Sequence, residues 1–135
     1  MSNASLASEY VTDTMGLVLR LEHRQMAAEA RAIFAAADAG QTIVHIPAMV
    51  FAEILYLSEK GRIGVSMADV DRHLHTFPNY RECSMNYAVI ETAAEITDIH
   101  ELHDRLIGAT ARWLKVALIT NDPVIQRSAF VATIW

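Results

Sequence analysis

The chain has one cysteine, no long apolar segment and no excess of positive charge. With Cys83 alone, neither an internal disulfide nor a thiolate zinc site can form within one chain. No apolar run reaches the ~18 residues needed to cross a bilayer, and no charged segment followed by an apolar one marks a secretory signal. We therefore expect a soluble, cytoplasmic protein without membrane contact, with residues 1–4 as a remnant of an expression tag.

The formal charge of −5 at pH 7 argues against nucleic-acid binding through a broadly basic surface. An acidic balance has two explanations, an ordinary acidic protein or carboxylates gathered at a site that needs a metal ion before it can accept a polyanion. With 53% hydrophobic residues, the chain has enough apolar surface to bury a core. Its 135 residues fit one compact domain over residues 1–135.

Strand-like and helical patterns alternate along the chain. Short β-branched or apolar segments predict strands at residues 10–12, 42–46, 80–83, 116–120 and 131–135. Helical patterns occupy residues 15–21, 26–39, 48–60, 66–75, 86–96 and 101–114, with a short helix after Pro123. The alternation predicts an α/β fold, a three-layer α/β/α domain with a central, mainly parallel sheet.

Two aspartates follow predicted strands, where open α/β sheets bind ligands. Asp13 follows residues 10–12, and Asp122 follows residues 116–120. The adjacent hydroxyls of Thr14 and Thr120 can hold a carboxylate in one orientation by donating hydrogen bonds to it. The alternative is that each aspartate is only a turn residue or a helix N-cap, and for either one alone this is about as probable as a role in a site.

Glu53 lies within an apolar helical segment. Its neighbours Phe51 and Ile54 suggest a half-buried carboxylate, which is costly unless it is paired or binds a metal ion. The alternative is a solvated helix face that Glu53 shares with Leu57 and Lys60.

Asp104 lies near the start of the clearest amphipathic helix. It shares a stripe with the small residues Gly108 and Ala111, at spacings of four and seven residues. Small residues let a helix approach another backbone closely, which would place Asp104 in a cleft. The alternative is an acid favoured at a helix N-terminus by the helix dipole.

These four acids together predict one site for a hard divalent cation. Oxygen ligands suit Mg²⁺ or Mn²⁺, and clustered carboxylates repel one another unless a cation is present. Two such ions could activate water and stabilise the leaving oxygen of a phosphodiester.

The order of these motifs resembles that of PIN domains, and most closely the VapC-type toxins of bacterial and archaeal toxin–antitoxin pairs. The resemblance covers the chain from about Tyr10 to its end. It lies in Asp13-Thr14, then Ile46-Pro47 with Glu53 in the next helix, then His103-Asp104-Arg105-Leu106-Ile107-Gly108-Ala109-Thr110-Ala111, then Leu118-Ile119-Thr120-Asn121-Asp122.

The resemblance implies a metal-dependent endoribonuclease. Asp13, Glu53, Asp104 and Asp122 correspond to the acidic quartet of the family, and Thr120 to a hydroxyl commonly found near the last acid. Glu53 either binds the metal ion or positions water. The resemblance also implies Mg²⁺ or Mn²⁺ as cofactor, RNA as substrate, a small cognate antitoxin protein as partner, and a homodimer.

Other functions receive less support from the sequence. A zinc site would have to use His100, His103 and Asp104, but no His-Glu-x-x-His pattern is present and histidines on a helix surface explain them better. Cys83 lacks the surroundings of a nucleophile. The main alternative is a non-catalytic α/β interaction module, such as a receiver-like signalling domain. Receivers usually carry an acidic pair after the first strand, whereas Asp13 stands alone.

Overall fold

A computed structural model describes residues 8–135 of the chain. Residues 1–4, which we expect to be a tag remnant, lie outside this range. The strands are β1 (Glu9–Thr12), β2 (Ile43–Pro47), β3 (Tyr80–Cys83), β4 (Ala117–Ile119) and β5 (Thr133–Ile134). The helices are α1 (Thr14–Leu21), α2 (Ala28–Asp38), α3 (Ala48–Glu59), α4 (Met67–Thr76), α5 (Tyr87–Ala93), α6 (Leu102–Leu114) and α7 (Pro123–Gln126).

The strands form one sheet in the order β3-β2-β1-β4-β5. Each pairing between these strands is parallel, so the predicted α/β fold is confirmed and the sheet is parallel throughout rather than mainly so. The chain moves from β1 through β2 to β3 in one direction, and then crosses back to β4 on the other side of β1. The boundary between β1 and β4 is therefore the point at which the strand order reverses, and doubly wound sheets bind ligands at such points.

The direction of the crossovers places helices on both faces of the sheet. Parallel crossovers are almost always right-handed, so connections that run in opposite directions use opposite faces. Helices α1 to α4 pack against one another, and α5 packs along α6. In the part of the chain that the structure describes, no helix is long and apolar enough to span a membrane.

Apolar side chains from both layers fill the space against the sheet. The core includes strand residues Val11, Val44, Ile46, Leu118 and Ile119, and helix residues Ile33, Phe34, Val50, Ile54 and Ile107, all fully buried. This burial explains the sequence pattern of the strands. Because helices cover both faces of the sheet, the strands are apolar runs rather than alternating apolar and polar residues.

Three predicted elements differ from the structure by more than one residue at an end. The second helix begins at Ala28 rather than at residue 26, and the fifth ends at Ala93 rather than at residue 96. After α5 the chain turns so that Ile96 and Ile99 enter the core from a loop, which apolar spacing alone does not distinguish from a helix. The last strand is confined to Thr133–Ile134, which lie in register with Leu118 and Ile119 of β4.

Candidate functional site

A cleft of about 320 Å³ lies at the carboxyl edge of the sheet, beside the ends of β1 and β4. All four acids that the sequence singles out line it. The lining residues are Asp13, Thr14, Met15, Glu53, Leu57, Asp104, Ile107, Asn121, Asp122, Pro123 and Ile125. The fold thus brings together acids from two strand ends and two helices that are far apart in the sequence.

Asp13 sits where β1 passes into α1. Its backbone N–H donates to the carbonyl of Ile119 (3.2 Å), which ties this turn to the end of β4. Its Oδ1 accepts the N–H of Gly16 (2.7 Å), so Asp13 is the N-cap of α1. The side chain is buried and is also hydrogen-bonded by Thr120. Asp13 is therefore both a helix cap and a cleft residue, and the two interpretations of its position are compatible.

Asp122 occupies the equivalent place after β4. Its Oδ1 accepts the N–H groups of Val124 (2.8 Å) and Ile125 (3.2 Å), and so caps α7. The hydroxyl oxygen of Thr120 accepts the N–H of Asp122 (3.1 Å). Because Thr120 also contacts the Asp13 carboxylate, this fully buried hydroxyl connects the two acids at the strand ends.

Glu53 enters the cleft from α3. The hydroxyl of Thr14 donates a short hydrogen bond to Glu53 Oε1. On the other side, His103 Nδ1 lies 3.4 Å from Glu53 Oε2. The Glu53 side chain is 26% exposed, so it is not on the solvated helix face that the alternative required.

Asp104 enters the cleft from the first turn of α6. Glu101 caps this helix by accepting the Asp104 N–H (2.8 Å). The Asp104 carboxylate itself accepts no hydrogen bond and forms no ion pair with any residue in the range 8–135. Its predicted stripe of small residues serves close packing, since a Cβ added to Gly108 would lie 3.1 Å from Val131 and 3.7 Å from Ile99.

Two carboxyl groups of the cleft hold protons more tightly than usual. The pKa of Asp13 is raised to about 6, chiefly by burial. The hydrogen bonds of Thr120 and Gly16 lower this pKa, and the charges of Asp122 and Glu53 raise it. Burial also raises the pKa of Asp104 to about 6, together with the charges of the surrounding acids. The cleft thus has an excess of negative charge that its own hydrogen bonds do not offset.

The donors of the cleft fit a hard divalent cation. Carboxylate and hydroxyl oxygens line the cleft, and oxygen atoms of this kind are the ligands that Mg²⁺ and Mn²⁺ prefer. An ion there would also offset the burial of these charges and their mutual repulsion, which together raise the pKa values of Asp13 and Asp104. As they stand, the side chains of residues 8–135 include no group of three or more His, Cys, Asp or Glu arranged to hold a metal ion. Binding would therefore draw the carboxylates inward.

Sequence reasoning did not identify Gly16 as part of this site. A Cβ at position 16 would lie 2.8 Å from Thr12 Oγ1 and 3.0 Å from Asp13 Oδ1. The absence of a side chain therefore lets the first turn of α1 sit directly on the carboxylate that it binds. A glycine followed by apolar residues gives no signal of this contact in the sequence.

We expect Gly16→Ala to displace Asp13. Alanine favours a helix over glycine by about 1 kcal/mol, but overpacking against the fully buried Thr12 costs about 1–3 kcal/mol. Chemical denaturation should show a stability that is unchanged or lower by up to about 2 kcal/mol, and displacement of Asp13 should reduce any activity of the cleft by about 10- to 100-fold.

Gly64→Ala is the matched control for this substitution. Its added Cβ would meet only the end of the Glu22 side chain, at 3.3 Å. Full activity in Gly16→Ala would show that the Asp13 position is not critical.

Comparison with known proteins gives one family match. The sequence profile of the PIN domain matches residues 10–131, which is most of the chain. Among curated protein sequences, none matches this one.

Several solved structures share the fold. VapBC2 from Rickettsia felis, bound to a DNA fragment from its promoter, gives a TM-score of 0.71 at 16% identity, covering 94% of this chain and 98% of the other. DNA-bound VapBC from Salmonella typhimurium gives 0.70 at 12% identity, with 95% and 98% covered. FitAcB from Neisseria gonorrhoeae gives 0.62 at 18% identity, with 93% and 96% covered. At these identities the likeness is one of fold.

Proposed function

The chain belongs to the PIN domain family, and from that premise we propose that it is a metal-dependent endoribonuclease, the toxin of a toxin–antitoxin pair. The observation that carries the proposal is the convergence of Asp13, Glu53, Asp104 and Asp122 on one cleft at the reversal point of the strand order. These acids come from four separate parts of the chain. A structural role for each alone would not require them to meet.

The residues of the cleft would have different roles in phosphodiester hydrolysis. Asp13, Asp104 and Asp122 would hold Mg²⁺ or Mn²⁺. A bound divalent ion would supply a Lewis acid for the phosphoryl oxygens and lower the pKa of water. Thr120 orients the Asp13 carboxylate by a hydrogen bond and holds the backbone of Asp122 by accepting its N–H.

Glu53 has a different environment from the three aspartates. Thr14 holds its Oε1 from within the cleft, so Glu53 is poised either as a further ligand or as the acceptor that orients the attacking water. The apolar residues Leu57, Ile107 and Ile125 lower the local polarity of the cleft, which strengthens the electrostatic interactions of all these groups.

Three partners belong to this proposal. RNA is the substrate, and a small cognate antitoxin would neutralise the enzyme, in keeping with the solved complexes of the same fold. The exposed apolar residues Leu55, Tyr56, Tyr87, Ile90 and Leu102 offer surface for a homodimer. We place the protein in the cytoplasm, where RNA is translated.

The test is cleavage of a fluorescent mixed-sequence RNA by the purified protein with Mg²⁺, with Mn²⁺ and with chelator, beside DNA of the same sequence. We expect RNA cleavage that needs metal, and little cleavage of the DNA. DNA cut as rapidly as RNA would contradict the substrate assignment. If neither nucleic acid is cut by a protein that binds Mn²⁺ and binds RNA, the cleft is that of a non-catalytic binding module.

A further inference from the structure

Two side chains from different helices contact the carboxylate of Glu53 on opposite oxygens. Thr14, the first residue of α1, donates to Oε1. His103, the second residue of α6, places Nδ1 at 3.4 Å from Oε2. Glu53 is thus held between the helix that follows β1 and the helix that carries Asp104.

Glu53 needs such contacts to stay in the cleft. It is a long side chain, and fixing its rotamers costs conformational entropy. Its charge also repels those of Asp13 and Asp104, since it contributes to the raised pKa of both. Without donors on its own side, the carboxylate would turn toward solvent.

His103 lies within ion-pair distance of this carboxylate, close enough to act as one of these donors. A neutral imidazole carries a proton on one of its two nitrogens, so Nδ1 can donate to a carboxylate that faces it. Its ring is about half exposed, and it lines a groove of about 460 Å³ that adjoins the acidic cleft at Glu53 and Leu57. Its exposure means that the ring can be replaced without opening the core.

We propose that His103 is a positioning residue for Glu53. Together with Thr14, it keeps the Glu53 carboxylate pointing into the acidic cleft. The expected effect of His103 on metal binding rests on the proposed function, whereas its contact with Glu53 is independent of that function. In this role His103 acts through Glu53 rather than by binding substrate or metal itself.

The contact can be measured without metal or RNA. In protein labelled with carboxyl-¹³C glutamate and kept in chelator, Glu53→Gln identifies the Glu53 signal by its disappearance. We expect His103→Phe and Thr14→Val to shift that signal, and His75→Phe, a change at the exposed end of α4, to leave it in place. An unmoved Glu53 signal in His103→Phe would overturn the proposal, whether or not the protein is a nuclease.

The consequence for the site can be measured with Mn²⁺ alone, by electron paramagnetic resonance of the free ion. Changes to groups that orient metal ligands typically cost about 10- to 100-fold in metal affinity or activity. We expect His103→Phe to weaken Mn²⁺ binding by about 10-fold, near the low end of that range. His103→Asn, which keeps an N–H donor close to the position of Nδ1, should restore most of the affinity.

A double-mutant cycle shows whether the effect runs through Glu53. In the Glu53→Gln background, His103→Phe should change Mn²⁺ affinity by less than about twofold. Glu101→Gln is the matched background, because Glu101 Oε2 also lies 4.0 Å from His103 Nδ1. There His103→Phe should keep its full effect.

Three results of the Mn²⁺ measurements would overturn the proposal. These are an equal loss in the Glu53→Gln background, a failure of His103→Asn to restore affinity, and tighter Mn²⁺ binding by His103→Phe. The last would mean that His103 draws Glu53 out of the cleft. If the wild-type protein binds no Mn²⁺, the proposed function fails, and the ¹³C measurement alone decides whether His103 positions Glu53.

Discussion

Asp104→Asn is expected to reduce metal-dependent RNA cleavage by on the order of 100-fold or more, because a direct ligand should matter at least as much as the groups that orient it. The Asp104 carboxylate has no hydrogen-bond or ion-pair partner among residues 8–135, so both of its oxygens can face a metal ion. Asparagine has nearly the same shape and removes the charge alone. The cap of α6 is the side chain of Glu101, so the substitution leaves it intact.

The measurement is kcat/KM on a cleavable RNA at saturating Mg²⁺. Asp71→Asn is the matched control, since Asp71 is exposed on α4 and its side chain pairs only with His75 within the described residues. Asp71→Asn should cleave as the wild type does. A wild-type rate in Asp104→Asn would show that Asp104 is not a metal ligand of the active site.

Charge removal is also expected to stabilise the metal-free protein at pH 7.5. Raising the pKa of a carboxyl group from 3.8 to about 6 corresponds to at most about 3 kcal/mol for the buried Asp13. Because Asp104 is partly exposed, solvent screening reduces its share to about 1 kcal/mol. In chelator at pH 7.5, urea denaturation should therefore show Asp13→Asn and Asp104→Asn to be more stable than the wild type.

The pH dependence of this gain follows from the direction of the pKa shifts. Between about pH 4 and pH 6 the folded chain binds more protons than the unfolded chain, so these carboxyl groups destabilise the protein increasingly as pH rises. The gain of each variant should fall to roughly half by pH 5 and nearly vanish by pH 4. Burial lowers the pKa of His73, which gives the opposite trend near pH 6, and subtracting the wild-type curve removes that contribution.

Divalent metal should reverse the order of stability. Mn²⁺ at one thousand times its dissociation constant stabilises a protein that binds it only when folded by about 4.1 kcal/mol, which exceeds the advantage of either variant in chelator. The wild type should gain this stability, and Asp13→Asn should gain little. A wild type that is no less stable than both variants in chelator at pH 7.5 would contradict the electrostatic description of the cleft.

Much of the fold could be predicted from local patterns. Turn residues and apolar segments placed the strands and helices, because amphipathic helices repeat about every 3.6 residues and buried strands are short apolar runs bounded by turn residues. Asp13 and Asp122 could be singled out because parallel strands present their carboxyl ends at one edge. The strand order could not be predicted, because no short segment of the sequence indicates which strands lie next to each other.

The partners of the acids were beyond sequence reasoning. Thr14 and Thr120 could be noted as neighbours of acids, but not that Thr14 contacts Glu53, 39 residues away. His103 looks like an ordinary surface histidine, because its contact with Glu53 arises only when α3 and α6 pack together. Gly16 was missed for the same reason, since the close approach of α1 to Asp13 is a property of the folded turn.

The most direct test that the acids of this cleft together hold a divalent ion is an anomalous diffraction measurement on crystals soaked in Mn²⁺. We predict an anomalous peak in the cleft at about 2.1 Å from carboxylate oxygens of Asp13, Asp104 and Asp122, the distance expected for a small, hard divalent ion. An empty cleft in crystals that carry Mn²⁺ elsewhere, such as at Glu9 and His45, would contradict it.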